Sequence, residues 1–218
     1  MSGLASGTPG IRSLLCHRGD PVAAVRCVVR IRRILCSVLA TLLIAGSPWL
    51  GAIAADEQDA RRVTVGLNLF PALLAADQNI ADKRVGSGPL LLLLIHRDEV
   101  QLVEQLAAAL RDKGAIRGIP LRVQPVLVSE LADYATAKVA GVFVAQRMGD
   151  DIDAVLDFSR RHQLLSFSPF PGDVERGVAA GISVSDRVLP YVNIDAVDAA
   201  GVRIKPFFLR IAERYDQR

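Results

Sequence analysis

The chain has 218 residues, 51% of them hydrophobic and 22% charged, with a formal net charge of +3 at pH 7. Residues 1–55 hold six arginines and one aspartate, so the remainder, with 20 basic and 22 acidic side chains, is slightly acidic; it has no block of like charge, which argues against a nucleic-acid ligand. Cys16, Cys27 and Cys36 all precede residue 56, so the rest of the chain has no thiol chemistry, cannot mispair in an oxidising compartment and must be stable by packing alone.

Residues 1–29 show no hydrophobic period, and a start codon assigned too early, with the true start near Val28 or Val29, accounts for them. A secretory signal peptide follows over residues 30–54. Arg30, Arg32 and Arg33 form its basic region, Ile34 to Gly46 its apolar region, Pro48 and Gly51 break the helix, and Ala52-Ile53-Ala54 offers a small-x-small cleavage pattern. The alternative is an uncleaved anchor, because Ile34 to Ala55 carries no charge and is long enough to span a bilayer. Both readings place residues 55–218 outside the cytoplasmic membrane as one periplasmic domain, long enough for a real core.

Val63 to Ala76 is ambiguous. Val63, Val65, Leu67 and Leu69 alternate like a strand, Leu69, Leu73 and Ala76 continue like a helix, and Pro71 interrupts either. Asp77 to Pro89 is a polar loop. Leu90 to Ile95 is a buried strand. Asp98 and Gln101 have the spacing of a capping box, opening a helix with Val100, Val103, Leu106, Ala107 and Leu110 on one stripe and Gly114 as its stop. Leu121 to Val128 is a second strand, followed by a short helix or turn from Ser129 or Glu130 to about Ala137. Val139 to Ala145 is a third strand, Asp150 caps a second helix, and Leu164 to Ser168 is a fourth strand. After a Pro- and Gly-rich loop, Ile182 to Val184 and Leu189 to Val192 pair as an antiparallel hairpin. Asp195 to Ala200 is a short helix closed by Gly201, and Pro206 begins a last helix with Phe207, Phe208, Ile211 and Tyr215 on its apolar side. The alternation predicts an α/β fold: three layers, a mainly parallel sheet flanked by helices, with an antiparallel hairpin near the C-terminus.

No catalytic pattern emerges beyond residue 55. His-Glu-x-x-His, Gly-x-Ser-x-Gly and the phosphate-binding loop are all missing, so no catalytic residue, metal or cofactor is assigned. Asp150, Asp151, Asp153 and Asp157 are read as acids favoured at a helix N-terminus, not as a cation site, which needs six or more converging oxygens. His162 behind Arg160 and Arg161 is a partner of a helix C-terminal dipole. His96, Gln146 and Arg147 fall at the carboxyl ends of parallel strands, where such sheets bind ligands, and form the candidate ligand site. Phe170, between two prolines, either anchors a partner or plugs the core; Arg176, Asp186 and Arg187 are a polar rim or a solvated face.

The C-terminal third is similar to the YfiR-like periplasmic family. Gly181 to Ser185, then Tyr191 to Lys205, then Phe208 to Ala212 match its strand, Asn-x-x-Ala-x-x-x-Ala-Gly-aliphatic-x-aliphatic run and apolar helix, with Asn193, Ala196, Ala200, Gly201, Val202 and Ile204 matching in position and type. Leu164 to Ser168 resembles its penultimate strand. The likeness covers Val63 to Tyr215 and is strongest over Tyr191 to Ala212. The family's Trp-Pro after the first helix and its cysteines are absent, so no disulfide behaviour carries over. The resemblance implies a helix over Val63 to Ala76. It also implies a non-catalytic exported regulator that contacts an inner-membrane signalling protein, such as a diguanylate cyclase or sensor kinase, and holds it off. The expected contact patch is Phe170, Asp173, Arg187, Leu189 and Tyr191, with a second copy of the chain as a further partner and no membrane span after cleavage. The alternative function is a small-solute-binding accessory protein using His96, Gln146 and Arg147. A hydrolase of unrecognised geometry is a third reading, without any visible base–nucleophile pair.

Overall fold

Helix α1 (Pro48–Ala76) settles the ambiguous segment in favour of helix. The computed structural model describes the backbone of residues 48–215 and the side chains of 57–215. Val63, Leu67, Phe70, Leu73 and Leu74 are all buried, a 3.6-residue period that alternation across a strand cannot produce. The strand-like pattern of Val63 to Leu69 was coincidental: Val65 and Leu69 are only half-buried on the flank of α1. Pro71 lies inside this helix and leaves the Leu67 carbonyl without its i+4 donor, a cost that packing overrides. Most of the expected signal segment lies outside the described residues. Its last part is helical: Pro48 stands at the helix start, where proline is tolerated, and Gly51 lies inside α1 instead of ending it. Contacts divide the chain between Ala52 and Ile53, and the whole sheet belongs to the second unit.

Beyond a 3-10 turn at Ile80–Lys83, the chain alternates as foreseen except for the added short strand β2: β1 (Leu90–His96), α2 (Val100–Arg111), β2 (Ala115–Ile116), β3 (Ile119–Leu127), a 3-10 helix (Val128–Tyr134), β4 (Gly141–Val144), α3 (Ile152–Arg161) and β5 (Leu165–Phe167). There follow α4 (Asp173–Arg176), β6 (Ala180–Val184), β7 (Val188–Asn193), α5 (Ile194–Ala199), α6 (Pro206–Ile211) and β8 (Glu213–Tyr215). The eight strands form one sheet in the order β2-β3-β1-β4-β5-β6-β7-β8. β3, β1, β4, β5 and β6 are parallel neighbours, and β6 and β7 pair antiparallel. The three-layer α/β fold with its late hairpin is therefore present.

The layers follow from register. Leu92 faces Gly141 and Leu94 faces Phe143, so even-numbered β1 residues and odd-numbered β4 residues share one side. A Cβ on Gly141 would stand 2.7 Å from Leu74 and 3.2 Å from Phe70, and one on Gly66 would stand 2.9 Å from Phe167. Helix α1 thus lies on that side, close against the sheet. The rings of Phe70, Phe143 and Phe167 meet there with centroids 5.5–5.9 Å apart. Right-handed crossovers leaving β1 and β4 in opposite directions put α2 beside α1 and α3 on the far side, where α3 meets the 3-10 helix Val128–Tyr134.

Some local expectations need correction. Asp98 does not cap α2; the N-cap is Glu99, without a side-chain hydrogen bond, because the Asp98 carboxylate receives a donor from Gln146. Asp150 sits in a 3-10 turn ahead of α3. The last helix ends at Ile211, leaving Phe207 and Ile211 exposed while Phe208 is buried, and Tyr215 belongs to the strand β8.

The aromatic cluster yields a stability test. Phe70→Ala is expected to destabilise the fold by about 3–5 kcal/mol, whereas Phe207→Ala, at a half-exposed ring, should stay within about 0.5 kcal/mol of wild type. Urea unfolding followed by circular dichroism compares the two; similar losses would mean that α1 is not what the core is built on.

Candidate functional site

A sheet whose central order reads β3-β1-β4 reverses winding direction between β1 and β4, and the loops leaving these strands diverge above the carboxyl edge. Gln146, just past β4, ties those loops together. Its side-chain oxygen accepts the backbone N–H groups of Arg97 and Asp98 at 2.9 and 3.2 Å, and its amide donates to the Asp98 carboxylate.

Arg147 extends from the same loop. Its guanidinium donates two hydrogen bonds to the Asp59 carboxylate of α1, through Nε to Oδ2 and through Nη2 to Oδ1, the latter at 2.8 Å. It also lies over the Phe170 ring, 5.1 Å from the centroid, a cation–π contact. The bond to Asp59 pushes the guanidinium pKa up, against a smaller opposing effect of burial. Beside this pair a cavity of about 290 Å³ opens between α1 and α2. Val63, Leu102, Leu106 and Phe170 give it apolar walls; Glu99, Gln146 and Arg147 are among its polar groups. An apolar pocket with few convergent polar groups is the ordinary form of a small-molecule site.

Of the three residues expected to bind ligand, the structure brings Gln146 and Arg147 into this cavity. His96 ends β1 beneath the same edge but is buried, 3% exposed, with Nδ1 lacking any hydrogen-bond partner among the described residues; it does not line the cavity. Asp59, Glu99, Leu102 and Leu106 were missed. The available signal was helical spacing: Asp59 lies four residues before Val63, on the face that buries Val63, Leu67 and Phe70.

The expected partner patch does not form one surface. Phe170 is 5% exposed, so it is no surface anchor: the Pro-rich loop turns the ring inward, where it closes the cavity floor. Asp173 is half-buried at the start of α4 and accepts the Ser168 hydroxyl, which in turn accepts the Phe170 N–H at 3.2 Å. Arg187 is exposed in the hairpin turn and Leu189 is half-buried. Tyr191 is half-buried against Tyr215, ring edge to face at 6.1 Å; burial, then the charge of Glu175, raises its phenol pKa.

Four of the six residues that resemble the family signature, Asn193, Ala196, Ala200 and Gly201, have structural roles. Asn193 caps α5, accepting the Ala196 N–H at 2.9 Å, and donates to the Val174 carbonyl at 2.8 Å. Ala200 is buried and Gly201 leaves the helix at φ 63°. The acids near α3 pair singly with arginines: Asp151 with Arg97 and Asp153 with Arg176, each at 3.3 Å, and Asp157 with Arg160 at 3.6 Å. His162 stacks on Phe158. Among the described residues no cluster of acids, histidines or cysteines has a metal-binding arrangement, and no helix is long and apolar enough to cross a membrane.

No family model matches the chain, and no curated protein matches it in sequence. Solved structures of similar architecture include an ABC domain from Streptococcus pneumoniae in complex with L-Trp (12% identity, TM-score 0.47, covering 70% of this chain and 61% of that one). A conserved domain protein from Vibrio cholerae follows at 15% identity and TM-score 0.44, covering 58% and 54%. A ligand-free, open substrate-binding protein with adhesive properties from Clostridium difficile follows at 14% and 0.47, covering 70% and 59%. The chain spans 54–61% of the length of these three.

Asp173 gives a pH test. Burial raises its carboxyl pKa more than the Ser168 hydrogen bond and the charges of Arg176 and Arg147 lower it. Its folded value lies above the unfolded one, so its contribution is complete below the ordinary carboxylate value and is lost as pH rises through the raised value. Asp173→Asn keeps an acceptor for Ser168 but does not titrate, so the stability of the variant relative to wild type should rise between about pH 3 and 7. Urea unfolding across that range measures this, and parallel curves would contradict it.

Proposed function

We propose that the protein is a non-catalytic binding protein for a small amphipathic solute, exported by the N-terminal segment read from the sequence. The observation that carries this reading is the cavity at the winding reversal of the sheet, with Arg147 held between Asp59 and Phe170 at its side. The apolar walls suit a hydrocarbon or aromatic body. Arg147 is already matched by Asp59, and Glu99 forms no ion pair among the described residues. The local charge balance therefore favours a solute whose polar end is neutral or cationic. Ser168, the serine nearest the site in sequence, is buried and engaged with Asp173 and the Phe170 N–H. It is committed to loop structure and does not serve as a nucleophile.

A second reading keeps the resemblance to the YfiR-like family: a periplasmic regulator that contacts an inner-membrane signalling protein. The observation favouring it is a shallow apolar depression beside the β6–β7 hairpin, lined by Val65, Ile182, Val184 and Val188 and edged by Arg61 and Arg62. Val184 and Val188 are 54% and 46% exposed. The two readings are compatible, since solute binding at one edge and partner contact at the hairpin use different residues.

A thermal-shift screen of amines, neutral amphiphiles and carboxylates tests the first reading. Amphipathic amines are expected to raise the melting temperature, Leu106→Trp to fill the cavity and abolish the shift, and Glu99→Gln to weaken amine binding roughly tenfold, the loss of one charge-assisted hydrogen bond. No shift with any class, or one unaffected by Leu106→Trp, would refute the site. For the second reading, a membrane protein captured by wild type from detergent extracts should be lost with Val184→Glu/Val188→Glu; capture unchanged by these substitutions would exclude the hairpin.

A further inference from the structure

Residues 202–215 carry four basic side chains and one acid. Their helix, α6, has two unlike faces. Phe208 is buried in the core, while Phe207 and Ile211 are 50% and 58% exposed. Arg210 is exposed as well. Positions 207, 210 and 211 are spaced i, i+3 and i+4, so they share one outward side of the helix. The Lys205 N–H donates to the Ala76 carbonyl at 2.9 Å, which starts α6 beside the end of α1.

Register separates the charges that follow. Arg214 of β8 pairs with Val192, Val192 with Ala180, and Ala180 with Phe167. Paired residues share a side of the sheet, so Arg214 falls on the side that holds α1 and the phenylalanine cluster. Glu213, one position earlier, alternates to the opposite side with Tyr191. Arg203, Arg210 and Arg214 are exposed, and none forms an ion pair among the described residues. Helix α1 has no acid after Asp59, and Asp77 just beyond it is fully buried beside Lys83. Even with Asp195 and Asp198 of α5 included, residues 194–215 hold four basic side chains against three acids.

Neither Phe207 nor Ile211 lines the cavity between α1 and α2 or the hairpin depression. A specific protein interface buries about 800 Å² on each partner, and two half-exposed side chains on a six-residue helix offer far less. A lipid surface demands less contact. Apolar side chains enter the boundary between headgroups and acyl chains, and arginines meet the phosphates.

We propose that the outward face of α6 and β8, with Phe207, Arg210, Ile211 and Arg214, docks on an anionic phospholipid surface. Phe207 and Ile211 enter the headgroup layer, and Arg210 and Arg214 pair with lipid phosphates. The face shares no residue with the solute cavity or the hairpin depression, so it stands or falls independently of both readings above.

Hydrogen exchange of the full chain, read by mass spectrometry over residues 203–215, tests this with vesicles of phosphatidylglycerol and of phosphatidylcholine. The readout is local, so attachment of the N-terminal segment to both kinds of vesicle does not imitate it. Slower exchange with phosphatidylglycerol and unchanged exchange with phosphatidylcholine are expected. Arg210→Gln/Arg214→Gln should weaken the apparent affinity behind this protection about 25-fold, roughly fivefold for each arginine. Phe207→Ala/Ile211→Ala should weaken it roughly tenfold. All four side chains are exposed, so both variants should keep the circular dichroism spectrum of wild type. Equal protection by the two lipids, protection by neither, or protection unchanged in the arginine variant would overturn the proposal. Protection by poly-glutamate without any by phosphatidylglycerol would assign the face to an acidic protein and overturn it as well.

Discussion

The close seating of α1 on the sheet is the constraint from which the rest of the structure follows. Two glycines permit it. Gly66 on the helix and Gly141 on β4 stand where any side chain would meet Phe167, Phe70 or Leu74 at or below van der Waals distance. With the backbones drawn together, Phe70, Phe143 and Phe167 interlock, at separations that favour aromatic pairs beyond their buried area. This also explains why Pro71 is tolerated. A proline inside a helix, through the lost hydrogen bond and the clash of its ring with the preceding turn, costs on the order of 3 kcal/mol, while Phe70, Leu73 and Leu74 each contribute burial of about 1.5–3 kcal/mol.

That seating fixes the functional geometry as well. The same helix that closes the core with its C-terminal half carries Asp59 to the carboxyl edge of the sheet, where it meets Arg147. The cavity wall is thus continuous with the most buried part of the molecule, and Gln146 pins the two loops that diverge there. Binding groups held by packed elements keep their geometry better than groups on free loops. At the other edge, the segment following α1 carries Asp77, fully buried and 2.7 Å from Lys83 Nζ.

Much of the architecture was legible because its signals are periodic and local. Leu90 to Ile95 reads as a buried strand from composition alone, the β6–β7 hairpin from its two apolar runs, and the α5 end from Gly201. The parts that were not legible depend on partners distant in sequence. β2 and β8 have two and three residues and acquire strand geometry only from β3 and β7. The turn at Arg117-Gly118, with φ of 53° and 79°, makes β2 a hairpin partner of β3, and a positive φ at arginine is not announced by its sequence. In the site, strand-end logic reached Gln146 and Arg147, which topology alone places at the switch point. It placed His96 at the same edge but could not show that the side chain is buried, in a strand covered on both faces, and of the two readings of Phe170 only the loop's path selects the inward one. Asp59 was hidden because its partner lies 88 positions away.

The short outer strands have a consequence for association. One margin of the sheet ends in a two-residue strand folded back through a tight turn, and the other in Glu213-Arg214-Tyr215. The short β2 pairs only with Ile119 and Pro120, so among the described residues Arg122 to Leu127 of β3 form most of that margin. Pro125 has no N–H to offer there, and the Arg111 side chain occupies the Val123 carbonyl. A proline and a charged side chain on an outer strand blunt its use as a template for another molecule, so ribbon-like extension of the sheet is hindered along this run by what its own residues withhold.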